Sequence, residues 1–429
     1  MVNTVPVQQL QVGMFVHLDL GWMHHPFPLS SFRISSPEQI ETIRGLGLET
    51  VRWVPERSVL DQPPAAAGAG DSAVPVGTPP ATETQAPESP QEAAARARQE
   101  ALAAQRSSLL KLERQYAEAT AALREATQIA RDKPEQARRD AEALSRALVD
   151  KLLVKGEMCI RLLSGSAGER AAAHGLNVAV IALLMGRSFG LEEDAMLDLG
   201  VGSLMHDVGK LELPDRVRHF EEGFTGAETK AYREHVAHGV TIGRRMGLSA
   251  GALAVLAQHH EHADGSGFPL HLGGDRMSFA ARVVALVNRY DNLCNPATLA
   301  QAMTPHEALS TLFTQGRNRY DATALNAFIR MMGVYPAGSV VQLTDDRYGM
   351  VMAVNSSRPL KPRLLVYDPG QPRDEALYLD LETVPDLGIR RSLNPSKLPP
   401  QALAYLAPRQ RLSYFFEPLP PAPDEEARG

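Results

Sequence analysis

Leu102, Leu109, Tyr116 and Leu123 recur every seven residues, and Leu112, Ala119 and Ala126 fill the complementary offset. Two such stripes on a charged stretch predict a long helix whose seam forms a coiled coil or helical hairpin, or packs on its own chain. Asp132-Lys133-Pro134 interrupts the run because proline cannot continue a helix, and Ala141, Leu144, Leu148 and Leu152 then restart a helical stripe. Nearer the start, Val12 to Leu18 and Glu49 to Val54 are rich in Val, Phe and Trp and read as strands. Between them Ser36-Pro37-Glu38-Gln39 carries a capping Ser, Pro at the first helical position and Gln three residues past the cap, so one short helix should end near Gly45 or Gly47. After Gly338 the pattern turns to short β-like runs, Val340 to Leu343, Met350 to Val354, Leu364 to Tyr367 and Leu377 to Leu381, split by Asp-, Gly- and Pro-rich turns.

These rhythms divide the chain into an α+β unit (1–61), a Pro- and Ala-rich linker (62–90), a helical connector (91–154), a helical unit (155–335), a small β unit (336–418) and a frayed tail (419–429). The linker holds seven prolines and too little apolar surface to offset the entropy of ordering, so it reads as extended and flexible. A chain of 429 residues is too long for one core, and 44% hydrophobic with only 6% aromatic residues suits Ala- and Leu-rich helices. The fold class expected is mainly α, with a small β contribution at each end.

A net charge of −6 with no basic run interleaved with aromatics argues against polymeric DNA or RNA as a partner. Cys159 and Cys294 form no Cys-x-x-Cys unit and read as free thiols. The start lacks a basic stretch followed by an apolar core, and the longest apolar run, around Asn177 to Met185, is too short to span a bilayer, so no membrane span and a cytoplasmic location are expected.

Most of the thirteen histidines fall between 155 and 333. His206-Asp207 follows the helical pattern Glu192 to Met205 and precedes Val208-Gly209-Lys210; alone, such a pair means little. Its companions change that: His174 on an upstream helix, His235 on a downstream one, and His259-His260-Glu261 before the loop Asp264-Gly265-Ser266-Gly267-Phe268-Pro269. Five imidazoles and one carboxylate suit two borderline divalent cations such as iron, manganese or zinc. Such a pair bridges a water, lowers its pKa and clamps phosphodiester oxygens, with Lys210 offsetting phosphate charge. His24, His25, His219, His238, His262 and His271 read as solvated or structural, and Met185, Met196 and Met205 as core filler.

In order, spacing and surroundings, AHGLNVA, LMHDVGKLELPD, EHVAHG and HHE leading into DGSGFP resemble the HD-GYP domain of bacterial cyclic di-GMP phosphodiesterases over residues 165 to 333. Residues 5 to 55, with LQVGMFVHLDLGWMHHPF and RISSPEQIETIRGLGLETV, resemble the domain of unknown function that often precedes it. The resemblance implies a multi-helix HD-type phosphohydrolase fold. It implies one metal on His174, His206, Asp207 and Asn288, and a second on Asp207, His235, His259 and His260. Asp207 and Lys210 would be catalytic, and Lys210, Asp264, Gly265, Gly267 and Phe268 would meet substrate. Two divalent ions, cyclic di-GMP as ligand, cleavage to linear pGpG or onward to GMP, and diguanylate cyclases or other signalling proteins as partners complete the implied picture; a homodimer through the connector is the expectation of the heptad seam.

Four departures bear on mechanism. Asn288, in ARVVALVNRYDNL, stands where the family offers a ligating Asp, with Asp291 one turn on matching the family's second Asp. Arg170 stands where some members carry a further metal-binding Glu; neighbouring Glu169 points about 100° away around a helix. Phe268 replaces the signature Tyr, and Asn292-Leu293-Cys294-Asn295-Pro296 replaces the usual Arg-Pro-Tyr-Arg. They leave a second reading: a degenerate module that binds nucleotide or a partner without turnover.

Overall fold

The computed structural model describes residues 4–20, 31–55, 58, 89–154, 156–163, 170–219 and 223–419. His24, His25, Glu169, nearly all of the linker and the tail beyond 419 lie outside these residues. The chain divides into two compact units, Met1–Ala104 and Gln105–Gly429.

In the first unit β1 (Thr4–Pro6), β2 (Phe15–His17), β3 (Ser31–Arg33) and β4 (Thr50–Trp53) form an antiparallel sheet in the order β1-β4-β2-β3, with α1 (Pro37–Gly45) between β3 and β4. The two expected strands and the helix are present; β1 and β3, each three residues long, carry too little pattern to be read from sequence. At the head of α1, Ser36 gives no side-chain cap and the Gln39 carboxamide accepts instead from the Ser35 amide, at 2.8 Å. Val16, Ile34 and Ile43 are fully buried and centre the core.

α2 (Pro90–Ile129) runs on into the second unit, and α3 (Pro134–Leu152) follows the proline break. From Leu112 onward the heptad seam is used up within the chain: Leu112, Tyr116, Ala119, Leu123 and Ala126 are all buried, and the Tyr116 hydroxyl donates to Asn177 Oδ1 at 3.2 Å. Packing on the chain's own helical unit therefore takes most of the seam offered to a partner.

After β5 (Met158–Leu162) come α4 (Arg170–Ser188), α5 (Glu193–Met205), α6 (Gly226–Arg233), α7 (His235–Met246), α8 (Ala250–Gln258), α9 (Phe279–Cys294), α10 (Pro305–Gln315) and α11 (Ala322–Met332). The unit is mainly helical. α4, buried along nearly its whole length, is the one helix among the described residues long and apolar enough to cross a membrane, and 78% of its apolar window lies inside the protein. It packs mainly against α5 and α9, the helices that carry the site.

The closing strands are β6 (Val340–Leu343), β7 (Tyr348–Asn355), β8 (Arg363–Val366), β9 (Leu379–Asp380) and β10 (Ile389–Leu393), then α12 (Pro400–Leu406) and β11 (Tyr414–Pro418). They do not form a sheet of their own. β5, from well ahead of the helices, sits between β7 and β11, giving a seven-stranded sheet with the path β10-β6-β7-β5-β11. The pairing is understandable: β5 is buried at every residue and Phe415 and Phe416 of β11 are fully buried, so each edge finds its cover in the other. An ion pair from Arg161 to Glu417, 2.8 Å, reinforces it.

Candidate metal centre

Helix ends build the centre. The last carbonyls of a helix have no intrahelical partner, and here two of them orient imidazoles: His206 Nδ1 donates to Ser203 O at 2.7 Å in the last turn of α5, and His259 Nδ1 to Leu256 O at 2.9 Å in that of α8. Tyr232 O, near the end of α6, does the same for His235 Nδ1 at 2.6 Å. A carbonyl only accepts, so each Nδ1 carries the proton and each Nε2 presents a lone pair. His174, on α4, is oriented differently, its Nδ1 meeting Asp291 Oδ2 at 2.6 Å. That carboxylate is fully buried, and its Oδ1 accepts from the amides of Asn177 and Asn295, each at 2.9 Å.

The four Nε2 atoms converge in pairs, His174 with His206 at 3.2 Å and His235 with His259 at 3.3 Å. Between them lies Asp207, which leaves the helix at φ −97° and so diverges from its neighbour His206. Its Oδ2 is 3.5 Å from His206 and 3.8 Å from His174; its Oδ1 is 3.6 Å from His235 and 3.8 Å from His259. Donor atoms of His174, His206 and Asp207 lie within 4.8 Å of one another, as do those of Asp207, His235, His259 and His260.

Buried lone pairs that face each other with no proton between them are costly unless a cation is shared. Burial pushes His235 down to about 4 and holds His259 and His260 well below the usual imidazole range, so these rings are neutral at pH 7. Asp207 Oδ1 and His260 Nε2 are buried and lack any hydrogen-bond partner among the described residues. Neutral imidazoles, an ionised carboxylate and two orphaned lone pairs are what divalent metal ions require. Burial alone would raise the Asp207 carboxyl, but the Lys210 ammonium, 2.6 Å away, holds it well below the carboxylate range.

The signature loop supports the centre from behind. Phe268 stacks on His260, with ring centroids 4.5 Å apart, and its amide donates to His260 O at 3.0 Å. Glu261 is fully buried and accepts from the amides of Leu270 and Leu272. At Gly267 any Cβ would fall 2.4 Å from Glu261 Cα, so no other residue fits. Asp264 is spent on Ser266, and Gly265 takes φ +75°.

A cavity of about 370 Å³ has His174, Asp207 and Lys210 in its wall. Asp264, Gly265, Gly267 and Phe268, expected to meet substrate, are not among its lining residues; the loop's close packing on residues 260–262 spends it on positioning His260. Asn288, expected as a metal ligand, is buried, and its Oδ1 accepts from the Asn292 amide at 2.6 Å. His219, read as peripheral, lines the cavity, and burial together with Arg170 and Lys210 pushes it down to about 4. Sequence reasoning missed Asn177, Asn295 and Arg411. The one available signal was Asn177, a lone amide inside the apolar run of α4.

The family described as "HD domain" matches residues 126–324, and the "Domain of unknown function (DUF3391)" matches residues 3–141, far beyond the 5–55 expected. The chain is 26% identical over 378 residues to the cyclic di-GMP phosphodiesterase PA4108 of Pseudomonas aeruginosa, covering 86% of this chain and 85% of that protein. It is 20% identical to the cyclic di-GMP phosphodiesterase PdeB of Borreliella burgdorferi, over 52% of this chain and 60% of that one. It is also 29% identical to the cyclic di-GMP phosphodiesterase response regulator RpfG of Xanthomonas campestris pv. campestris, over 35% and 40% respectively.

Proposed function

We propose that this chain, an HD-domain protein with a DUF3391 domain at its N-terminal side, is a cytoplasmic metal-dependent phosphodiesterase that opens cyclic di-GMP to linear pGpG. The observation that carries the reading is the placement of Asp207, whose two oxygens each lie 3.5–3.8 Å from a different pair of imidazole nitrogens. One carboxylate so placed is suited to bridge two ions, and the relatives named for this substrate supply its identity.

His174, His206 and Asp207 would hold one cation, and Asp207, His235, His259 and His260 the other. When bound, such ions supply Lewis acidity and a water of lowered pKa. Asp291 keeps the His174 tautomer with Nε2 bare, as the three carbonyls do for His206, His235 and His259. Lys210, tied to Asp207 at 2.6 Å, lines the cavity and would offset charge on the phosphate as a water oxygen bonds to phosphorus and the P–O3′ bond breaks, O3′ leaving as a hydroxyl with a proton from that water. Burial lowers the Lys210 ammonium, but Asp207 more than reverses this, so Lys210 is held above the ordinary lysine range and remains a cation through the reaction.

Metal analysis of anaerobically purified protein together with a chromatographic assay of cyclic di-GMP tests this. Bound iron, manganese or zinc and production of pGpG are expected, with Asp207→Asn losing both metal and turnover. A metal-replete protein that leaves cyclic di-GMP intact overturns the assignment, as does Asp207→Asn cutting at the wild-type rate.

A further inference from the structure

The cavity wall is strongly cationic, with Arg124, Arg131, Arg170, Lys210, Arg218 and Arg411 in it; Arg124 is exposed, and three of the other five charges are already spent. Lys210 pairs with Asp207, Arg131 with Glu212 at 2.9 Å, and Arg218 with Asp215 at 2.7 Å. Two half-buried guanidiniums differ. Among the described residues Arg170, at the start of α4, makes no ion pair, and Arg411, just ahead of β11, gives one nitrogen to Pro296 O at 3.3 Å and has no carboxylate partner. The two sense each other: burial and then Arg411 push the Arg170 guanidinium below its ordinary range, although Asp291 and Asp207 pull it back up. Like charges held together in a cavity wall are relieved by an anion.

Their position relative to the metal centre is fixed. The Leu412 amide donates to Asn295 Oδ1 at 2.8 Å, and Leu412 O accepts from Asn177 at 2.9 Å and Asn295 at 3.0 Å. These are the asparagines that hold Asp291 behind His174. The backbone beside Arg411 is thereby tied to the hydrogen bonds that orient a metal-binding imidazole.

A cyclic dinucleotide carries two phosphodiesters, and only one can be cut at a time. We infer that Arg170 and Arg411 form the subsite for the second, unreacted phosphodiester, so that a segment beyond the HD match at 126–324 selects cyclic dinucleotides over mononucleotides. This rests on the phosphodiesterase reading above and deepens it. Guanidinium suits the task because its planar fork takes two phosphate oxygens at once.

Isothermal titration of the metal-loaded full chain with cyclic di-GMP and with GMP tests the subsite. Arg411→Gln and Arg170→Gln are each expected to weaken cyclic di-GMP by tenfold or more and to collapse its preference over GMP by the same factor. Arg411→Lys, which keeps charge without the fork, should fall between. Melting curves and metal content measured alongside separate a folding defect from a binding one, and Arg411→Lys carries the test if a glutamine variant fails to fold. Wild-type affinity in the glutamine variants, or equal losses for both ligands, overturns the subsite. A wild type that binds cyclic di-GMP without cutting it removes the phosphodiesterase reading and leaves the subsite standing. Turnover by wild type with unweakened binding in the variants does the reverse, and no binding by wild type ends both.

Discussion

Replacing Asp291 by asparagine removes a charge without removing volume, and its effect can be worked out atom by atom. The carboxylate accepts three hydrogen bonds: His174 Nδ1 on one oxygen, and the Asn177 and Asn295 amides on the other. An amide has one oxygen. Turned toward His174, it sets an NH2 against two amide donors; turned away, it sets that NH2 against His174 Nδ1 and drives the ring to the tautomer whose Nε2 carries the proton. Asp291 itself is fully buried, so each unmet donor costs about 1–3 kcal/mol. The fold should lose about 2–4 kcal/mol, and the ion held through His174 about 10–100-fold in affinity, or roughly 1.4–2.7 kcal/mol. Competitive titration with a metal-sensing chelator should show one weakened equivalent and one unchanged, since His235, His259 and His260 take nothing from Asp291. Two equivalents at wild-type affinity, with an unshifted melting curve, would refute the account of how His174 is held.

Gly267→Ala should cost at least about 1–3 kcal/mol and displace Phe268 from His260, because the new Cβ meets backbone at 2.4 Å; a wild-type melting temperature with full metal content contradicts this. Lys151 is buried over the ring of Phe415, 4.3 Å away, and burial, aided by Lys111 and opposed by Glu417, pushes its ammonium down to about 7. Between that value and the unfolded one near 10.4 the unfolded chain binds more protons, so stability relative to Lys151→Met should rise with pH, by about 2 kcal/mol from pH 7 to 9. Denaturant melts giving parallel pH curves for the two proteins exclude it. Asn288→Asp should leave metal content unchanged, since the side-chain oxygen stays on the Asn292 amide; a gain in metal by elemental analysis would place residue 288 among the ligands.

What could be read in advance was whatever local pattern encodes. Heptad spacing and the break at Pro134 lie within one or two helices, and each histidine of the series sits in a short local motif, so the helices and the imidazoles that converge on Asp207 were visible in the sequence. Pairings across the chain were not. Nothing near Met158 announces that β5 will lie between β7 and β11, because a short buried strand has the same apolar signature whichever partner it takes. Arg411 was invisible for a related reason: only the Leu412 hydrogen bonds to Asn177 and Asn295 bring it to the cavity, and those join residues more than a hundred positions apart. Asn288 and Asp291 share α9 and differ in which neighbours they meet, His174 taking Asp291 while Asn292 takes Asn288.

The order of the His-Asp pair has a structural reason. α5 ends at Met205, and His206 keeps the helical turn that lets Ser203 O fix its ring. Asp207 breaks from that turn, and its two oxygens face opposite imidazole pairs. An asparagine there would offer one neutral oxygen and leave both pairs without an anion; a glutamate would carry its oxygens a methylene too far. The arrangement is economical in negative charge: four imidazoles orient on carbonyls or on Asp291, and a single carboxylate stands among them. Two divalent cations held this way would keep a large positive excess, and Lys210 has already taken up part of the Asp207 charge. The balance has to come from the ligand, so the centre is electrostatically complete only when an anion enters the cavity. Arg170 and Arg411 extend that demand along the same wall, where a ligand with two separated phosphates satisfies it better than one with a single phosphate.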